Sequence, residues 1–305
     1  MSAVAQPTAV PTASLARVRP SFPGAVRSEL LKLGRQWLTW ALLAAIVAVT
    51  AIAMLVFLFS GSSRTTLALS PDAFYFQYLT AMQAVFTTMS GVFLLIASSR
   101  LVSMEYGSGT IRVVLARGTG RLGLLAAQYA ALAIAAVLVL AAFLLVAAVF
   151  LYAIVVAWQG SFAPIASLPQ VAWADTLRVL LAAATSSALC ILLGTAAAVA
   201  GRSVAFGVGV ATAFFPADNF GTIVMALLGR LTHLDIWGQL TQYFLGPALN
   251  RLPGSLQTDH QVGRAFAMPL GGTVDATHCL VVIGVYALAF LAVSVVLTWR
   301  RDVLH

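Results

Sequence analysis

Five stretches of this chain run for more than 20 residues without a single acidic or basic side chain: 36–63, 73–99, 122–174, 179–201 and 276–299. A helix needs about 20 apolar residues to cross a bilayer. In lipid the backbone must satisfy its own hydrogen bonds, and among single segments only a helix does so. Charged residues make up 9% of the 305-residue chain and hydrophobic ones 61%. A soluble domain carries about 25% charged residues. The fold class that follows is an all-α membrane protein.

The stretch 122–174 is too long for one span, and Trp158, Gln159, Gly160, Pro164 and Pro169 mark where its helix ends. Spans are expected at about 37–59, 76–98, 124–153, 178–200, 203–217 and 279–299. The fifth is the least regular. Only 15 residues separate Arg202 from Asp218, and the apolar piece Phe220–Gly229 is too short to cross alone. A short span broken near Pro216, then a re-entrant or interfacial turn, fits this pattern. One span continuing through Asp218 to Leu228 is the alternative. The region 218–278 is assigned to the outer side, residues 1–22 to a disordered cytosolic tail without a cleavable signal peptide, and 23–305 to the membrane domain.

Basic residues set the orientation. Arg17, Arg19, Arg27, Lys32, Arg35, Arg100, Arg112, Arg117, Arg121, Arg202, Arg300 and Arg301 fall on one side, 12 in all. Arg64, Arg178, Arg230, Arg251 and Arg264 make 5 on the other. Both termini and the loop after Glu105 are therefore expected in the cytoplasm. Trp37, Trp40, Trp158, Trp173 and Trp299 lie at predicted span ends, where indoles prefer the interface. The net charge of +8 is explained by this placement and does not point to nucleic acid.

The loop 100–121 holds Glu105, one of two glutamates in the chain. Ser108 or Thr110 can cap a short helix. Ile111, Val114 and Leu115 give it an apolar face, with Gly109 and Arg112 elsewhere. Gly118 and Gly120 permit the turn into the third span. Glu105 is expected to pair with Arg112, Arg117 or a basic residue of a partner. Before the first span, Arg27, Glu29, Lys32 and Arg35 alternate with Leu30, Leu31 and Leu33. This pattern fits an interfacial amphipathic helix, the leucines toward lipid and the charges toward water, and equally a plain basic anchor flanking the span. In the second span Thr80, Gln83, Thr87 and Ser90 share one helical face, which should turn inward to a neighbouring helix or a pathway. Thr212, Asp218 and Asn219 are the polar residues of the fifth, Asp218 being placed at the outer interface. Asp175 and Arg178 are spaced to pair. Cys190 and Cys279 read as packing residues, and His233, His260 and His278 lack metal-site spacing. A phosphate-binding loop requires a glycine-rich run ending in Gly-Lys-Ser/Thr. The only lysine, Lys32, follows Leu31, so no cofactor is expected to bind this chain directly.

The run Gly109-Thr110-Ile111-Arg112-Val113-Val114-Leu115 after Glu105, and Ser28-Glu29-Leu30-Leu31-Lys32-Leu33 before the first span, resemble the cytoplasmic loop and elbow helix of type-2 ABC export permeases. Gln242-Tyr243-Phe244-Leu245-Gly246-Pro247 is similar to the aromatic-then-proline segment that such permeases carry before the last span. Two positions depart from the pattern: Gly118-Thr119-Gly120 stands where many relatives have proline, and Gln128 where lysine is frequent. The resemblance implies six spans with an N-terminal elbow helix (Glu29, Lys32, Arg35), a cytoplasmic coupling helix, and outer re-entrant or interfacial helices before the last span. It implies contact with an ATPase through Glu105, Gly109, Thr110, Arg112, Arg117, Gly118, Gly120 and Arg121, and a route lined by Thr80, Gln83, Thr87, Ser90, Thr212 and Asn219. The implied partners are two ATP-binding subunits holding ATP and magnesium, a second permease copy or sister permease, and the bilayer of a bacterial cytoplasmic membrane. The implied substrate is amphipathic, lipid-like or drug-like. A secondary carrier, which would need ionisable relays inside the spans, and a non-transporting scaffold or sensor remain as other readings.

Overall fold

A computed structural model of the protein describes residues 21–107, 120–256 and 275–300. The described residues form helices α1 (Phe22–Arg35), α2 (Trp37–Phe59), α3 (Gly61–Leu69), α4 (Pro71–Gly107), α5 (Arg121–Gln159), α6 (Ala163–Ala166), α7 (Gln170–Gly201), α8 (Val204–Thr232), α9 (Ile236–Leu240), α10 (Leu245–Ser255) and α11 (Ala276–Arg300), with a 3-10 turn at Thr241–Tyr243. Six of these, α2, α4, α5, α7, α8 and α11, are long and apolar enough to cross a membrane. The six-span expectation is met in number and in order.

Several helices outrun their expected spans. At 1.5 Å per residue, the 37 residues of α4 extend about 55 Å, against a hydrocarbon core of about 30 Å. Residues 100–107, expected in a loop, are the last two turns of α4. No proline or glycine interrupts the segment before Gly107, and Leu101, Val102, Ser103 and Glu105 are buried. The connection after α2 contains a helix that the sequence pattern did not suggest, α3, anchored by the buried Leu67.

The fifth span is not broken. α8 runs through Pro216 as one helix of 29 residues, as in the alternative of a span continuing through Asp218, and the segment after it begins near His233. Pro216 removes one backbone donor, whereas ending the helix there would free several groups, each costing several kcal/mol in lipid. Continuity is the smaller loss.

α7 sits at the centre: 61% of its apolar stretch is buried, against 39% for α4 and 22% or less for the other spans. Along α7, the small residues Ser186, Cys190, Gly194 and Ala198 recur every four positions. Backbones approach closely along such a stripe. A Cβ on Gly194 would lie 2.0 Å from Ser98 Oγ and 2.9 Å from the Leu95 carbonyl, and Ser99 Oγ donates to the Gly194 carbonyl at 3.1 Å. On the next flank, a Cβ on Gly207 of α8 would meet Ser103 Oγ at 2.7 Å and Ala198 Cα at 3.1 Å. So α4, α7 and α8 are pinned together at one level of the bundle. Both cysteines are buried and free, as expected of packing residues.

Candidate coupling junction and bundle cavity

α1 begins where Ser21 Oγ accepts from the Gly24 amide, with Pro23 in the first turn. Its buried face is Val26, Glu29 and Leu33. Val26 packs on Ala127 and Ala131 of α5, and Leu33 joins the cluster around Leu94, Leu101 and Leu132. Glu29 is therefore turned into the protein, not toward headgroups, while Leu31 is the exposed leucine.

The reason is Lys32. Its Nζ donates to Glu29 Oε1 at 2.5 Å and also to Glu105 Oε1, on the last turns of α4. The only lysine of the chain thus bridges its only two glutamates. Both carboxylates are at least 95% buried, and Lys32 is 42% exposed. Neither Glu29 Oε2 nor Glu105 Oε2 has a hydrogen-bond partner among the described residues. Two acids share one base. Burial raises the Glu29 carboxyl above its ordinary range, and Lys32 lowers it only in part. Burial pulls Lys32 down, but hydrogen bonds from its ammonium to Glu105 and Glu29 outweigh it and hold the amine above its usual value. Among the described residues the cation that Glu105 meets is Lys32 of α1, a contact the sequence reading did not foresee; Arg112 and Arg117, its expected partners, lie outside the described residues.

Nearby, Gly120 is the extended residue opening α5. Arg121 follows, and its guanidinium donates to the Trp299 carbonyl at 3.4 Å, at the end of α11. A cation there complements the negative end of that helix. The end of α4, α1, the start of α5 and the end of α11 thus meet on one side of the bundle. Arg35 is exposed at the end of α1. Gly109, Thr110, Arg112, Arg117 and Gly118 lie outside the described residues.

Further along, α4, α7, α8 and α10 line an open-sided cavity of about 320 Å³, with Thr88, Val92 and Pro216 exposed at its edge. Thr87, Thr212 and Asn219 line it. Thr80, Gln83 and Ser90 do not. Thr80 Oγ1 donates to the Phe76 carbonyl at 2.8 Å, Ser90 is buried in packing, and Gln83 Oε1 is buried without a partner among the described residues. The face α4 presents is Thr87, Thr88, Gly91, Val92 and Leu95, turned by about a residue from the predicted stripe. The hydroxyls of Thr87 and Thr212 return to their own helix, at the carbonyls of Gln83 and Val208. Asp218, next to this wall, accepts from the Gly246 amide in the first turn of α10. A carboxylate suits a helix N-terminus. Sequence reasoning did not foresee the seating of α10 on Asp218. The spacing of Gly246 from Asp218 carries no signal of that contact. At the far end Asp175 and Arg178 pair at 2.5 Å, as their spacing predicted.

A family model described as ABC-2 family transporter protein matches residues 25–217. The match takes in α1 and the first four spans and ends beside Pro216. No curated protein matches the chain.

Proposed function

The chain belongs to the ABC-2 transporter family, and from that premise we propose that it is the permease subunit of an ATP-driven exporter whose ATPase is a separate polypeptide. Two ATP-binding subunits, carrying ATP and magnesium, serve a pair of permeases, either two copies of this chain or this chain and a sister. Both termini and the 108–119 connection face the cytoplasm of a bacterial cell. The cargo is amphipathic.

The observation that supports this reading best is the Lys32 bridge. An exporter needs a stiff path from the surface that the ATPase pushes to the spans that move. Here α1 and the end of α4 are tied by one ammonium between two buried carboxylates. From Glu105 the same helix runs unbroken to Thr88 at the cavity, about 25 Å away at 1.5 Å per residue. Closure of the ATPase pair displaces the connection carrying Gly109, Thr110, Arg112 and Arg117. Gly118 and Gly120 act as its hinges, and Arg121 anchors the third span. Glu29, Lys32 and Arg35 make α1 the elbow that moves with it.

The test is affinity purification of tagged chain from its native host in mild detergent, with bound proteins identified by mass spectrometry. An ATP-binding subunit is expected in stoichiometric amount, and lost in Glu105→Arg while membrane insertion persists. The charge swap Lys32→Glu with Glu105→Lys is expected to restore it. Recovery of the permease without any ATPase would overturn the proposal.

A further inference from the structure

The cavity has a floor, a roof and a composition that select what it holds. Its floor is the level where α4, α7 and α8 are pinned by Gly194 against Ser98 and by Gly207 against Ser103. Past that level α4 and α7 stay in contact at Gly91 and Cys190, and the cavity opens between them and Pro216 of α8. Its roof is α10, held by the Asp218 carboxylate on the Gly246 amide. A Cβ at residue 246 would sit 2.9 Å from Asp218 Oδ2 and 3.0 Å from Asn219 Oδ1, so glycine is what lets α10 seat so closely.

None of the lining side chains is charged. Val92, Leu95, Phe215 and Leu249 supply apolar wall. Two half-buried carboxamides, Asn219 on α8 and Asn250 on α10, also line the space. Each carboxamide offers two donors and two acceptor lone pairs. A guest that covers such groups is favoured where it takes over their hydrogen bonds. A charged guest would lose its hydration, and the carboxylate beside the wall, Asp218, is already engaged by the Gly246 amide. The volume falls in the range of small-molecule sites.

We infer that each protomer carries its own binding chamber between α4, α7, α8 and α10, and that it takes an uncharged molecule with an apolar body and an amide-like or hydroxylated polar group. Asn219 and Asn250 read that polar group from opposite walls. α10 bounds the chamber at one end and the small-residue crossing at Gly194 and Gly207 bounds it at the other, while the side at Thr88, Val92 and Pro216 is open for entry. The inference deepens the exporter reading and rests on it for the sense of transport; binding itself does not require the ATPase.

The test uses three probes of nearly equal size: 4-fluorobenzamide, 4-fluorobenzoate and 4-fluorobenzylammonium. Fluorine relaxation of each is measured with the full chain in nanodiscs, against empty nanodiscs as the lipid background. The amide is expected to bind above background and the two ions are not. Gly91→Phe, which fills the chamber, is expected to weaken amide binding about tenfold, the scale of one lost pocket contact. Asn219→Leu with Asn250→Leu keeps the volume filled and should weaken it similarly; size-exclusion profiles identify any variant that fails to fold. Equal binding of all three probes, or amide binding unchanged in both folded variants, would overturn the chamber. A chain that binds no amide yet copurifies with an ATPase would overturn this inference and leave the exporter reading standing.

Discussion

Lys32 is the residue on which the described electrostatics turn. It is the sole described cation within reach of Glu29 and Glu105, and both acids are buried. Removing one partner of a fully buried pair costs about 3–5 kcal/mol. Lys32 is 42% exposed, which screens the pair, so Lys32→Met is expected to cost less, about 1–3 kcal/mol, in thermal or denaturant unfolding in detergent. Adding Glu105→Gln to that variant should recover part of the loss, since an unneutralised carboxylate is gone. Additive effects in this double-mutant cycle would show that the bridge carries no coupling. Glu29 adds a dependence on pH. Its folded-state pKa lies above the ordinary 4.5, so its contribution is full below pH 4.5 and is lost as pH rises through the folded value. Glu29→Gln has no such loss. The stability of the variant relative to the parent should therefore grow between pH 4.5 and neutrality, read from melting temperatures across that range. Lys32 acts with the same sign at the other end: its contribution holds below about 10.5 and disappears above its raised value.

At the level of elements, α4 and α7 cross with a backbone carbonyl of one close against a glycine of the other. Glycine at 194 leaves room for Ser98 and the Leu95 carbonyl, and the Ser99 hydroxyl closes the contact on the Gly194 carbonyl. Gly194→Ala places a methyl 2.0 Å from Ser98 Oγ and 2.9 Å from a backbone oxygen. The side chain can rotate; the carbonyl moves only with its helix. Gly194→Ala should cost about 1–3 kcal/mol, the range for overpacking. Pairing it with Ser98→Gly should return only part of that cost, because the Leu95 carbonyl still stands in the way. Full recovery in the unfolding assay would mean that the backbones do not set the spacing. The same element scale explains α8. A proline in mid-helix reads as a break in water, yet in lipid one missing hydrogen bond costs less than an exposed helix end.

Across the whole molecule, α4 is a rod that joins the Lys32 junction to the cavity without interruption. Its two ends stay in phase only while the residue count between them is kept. One alanine inserted after Ser99 advances everything beyond it by about 100° around the helix axis. Glu105 then points away from Lys32, while Thr88 and Gly91 keep their places at the cavity. The expected outcome is a chain that inserts and retains the cavity but no longer exports, measured as loss of transport in vesicles with the ATPase present. Transport at the parental rate would show that force reaches the spans by another path.

Much of this architecture was written in composition and spacing. Charge-free stretches and the bilayer's intolerance of free backbone groups determined six helical spans in order. The i, i+3 spacing of Asp175 and Arg178 determined a pair whose geometry a single helix supplies. The motif after Glu105 and the Ser28–Leu33 segment pointed to the family. Contacts between distant segments carry no such period. That Lys32 reaches Glu105, 73 positions away, that the cavity face of α4 is Thr87, Thr88 and Gly91 and not the Thr80–Ser90 stripe, and that α10 seats on Asp218 were decided by how the helices rotate and cross. Those rotations come from packing small residues against backbones and from the need to neutralise buried charge. Both are properties of the assembled bundle, and neither is local to any one segment.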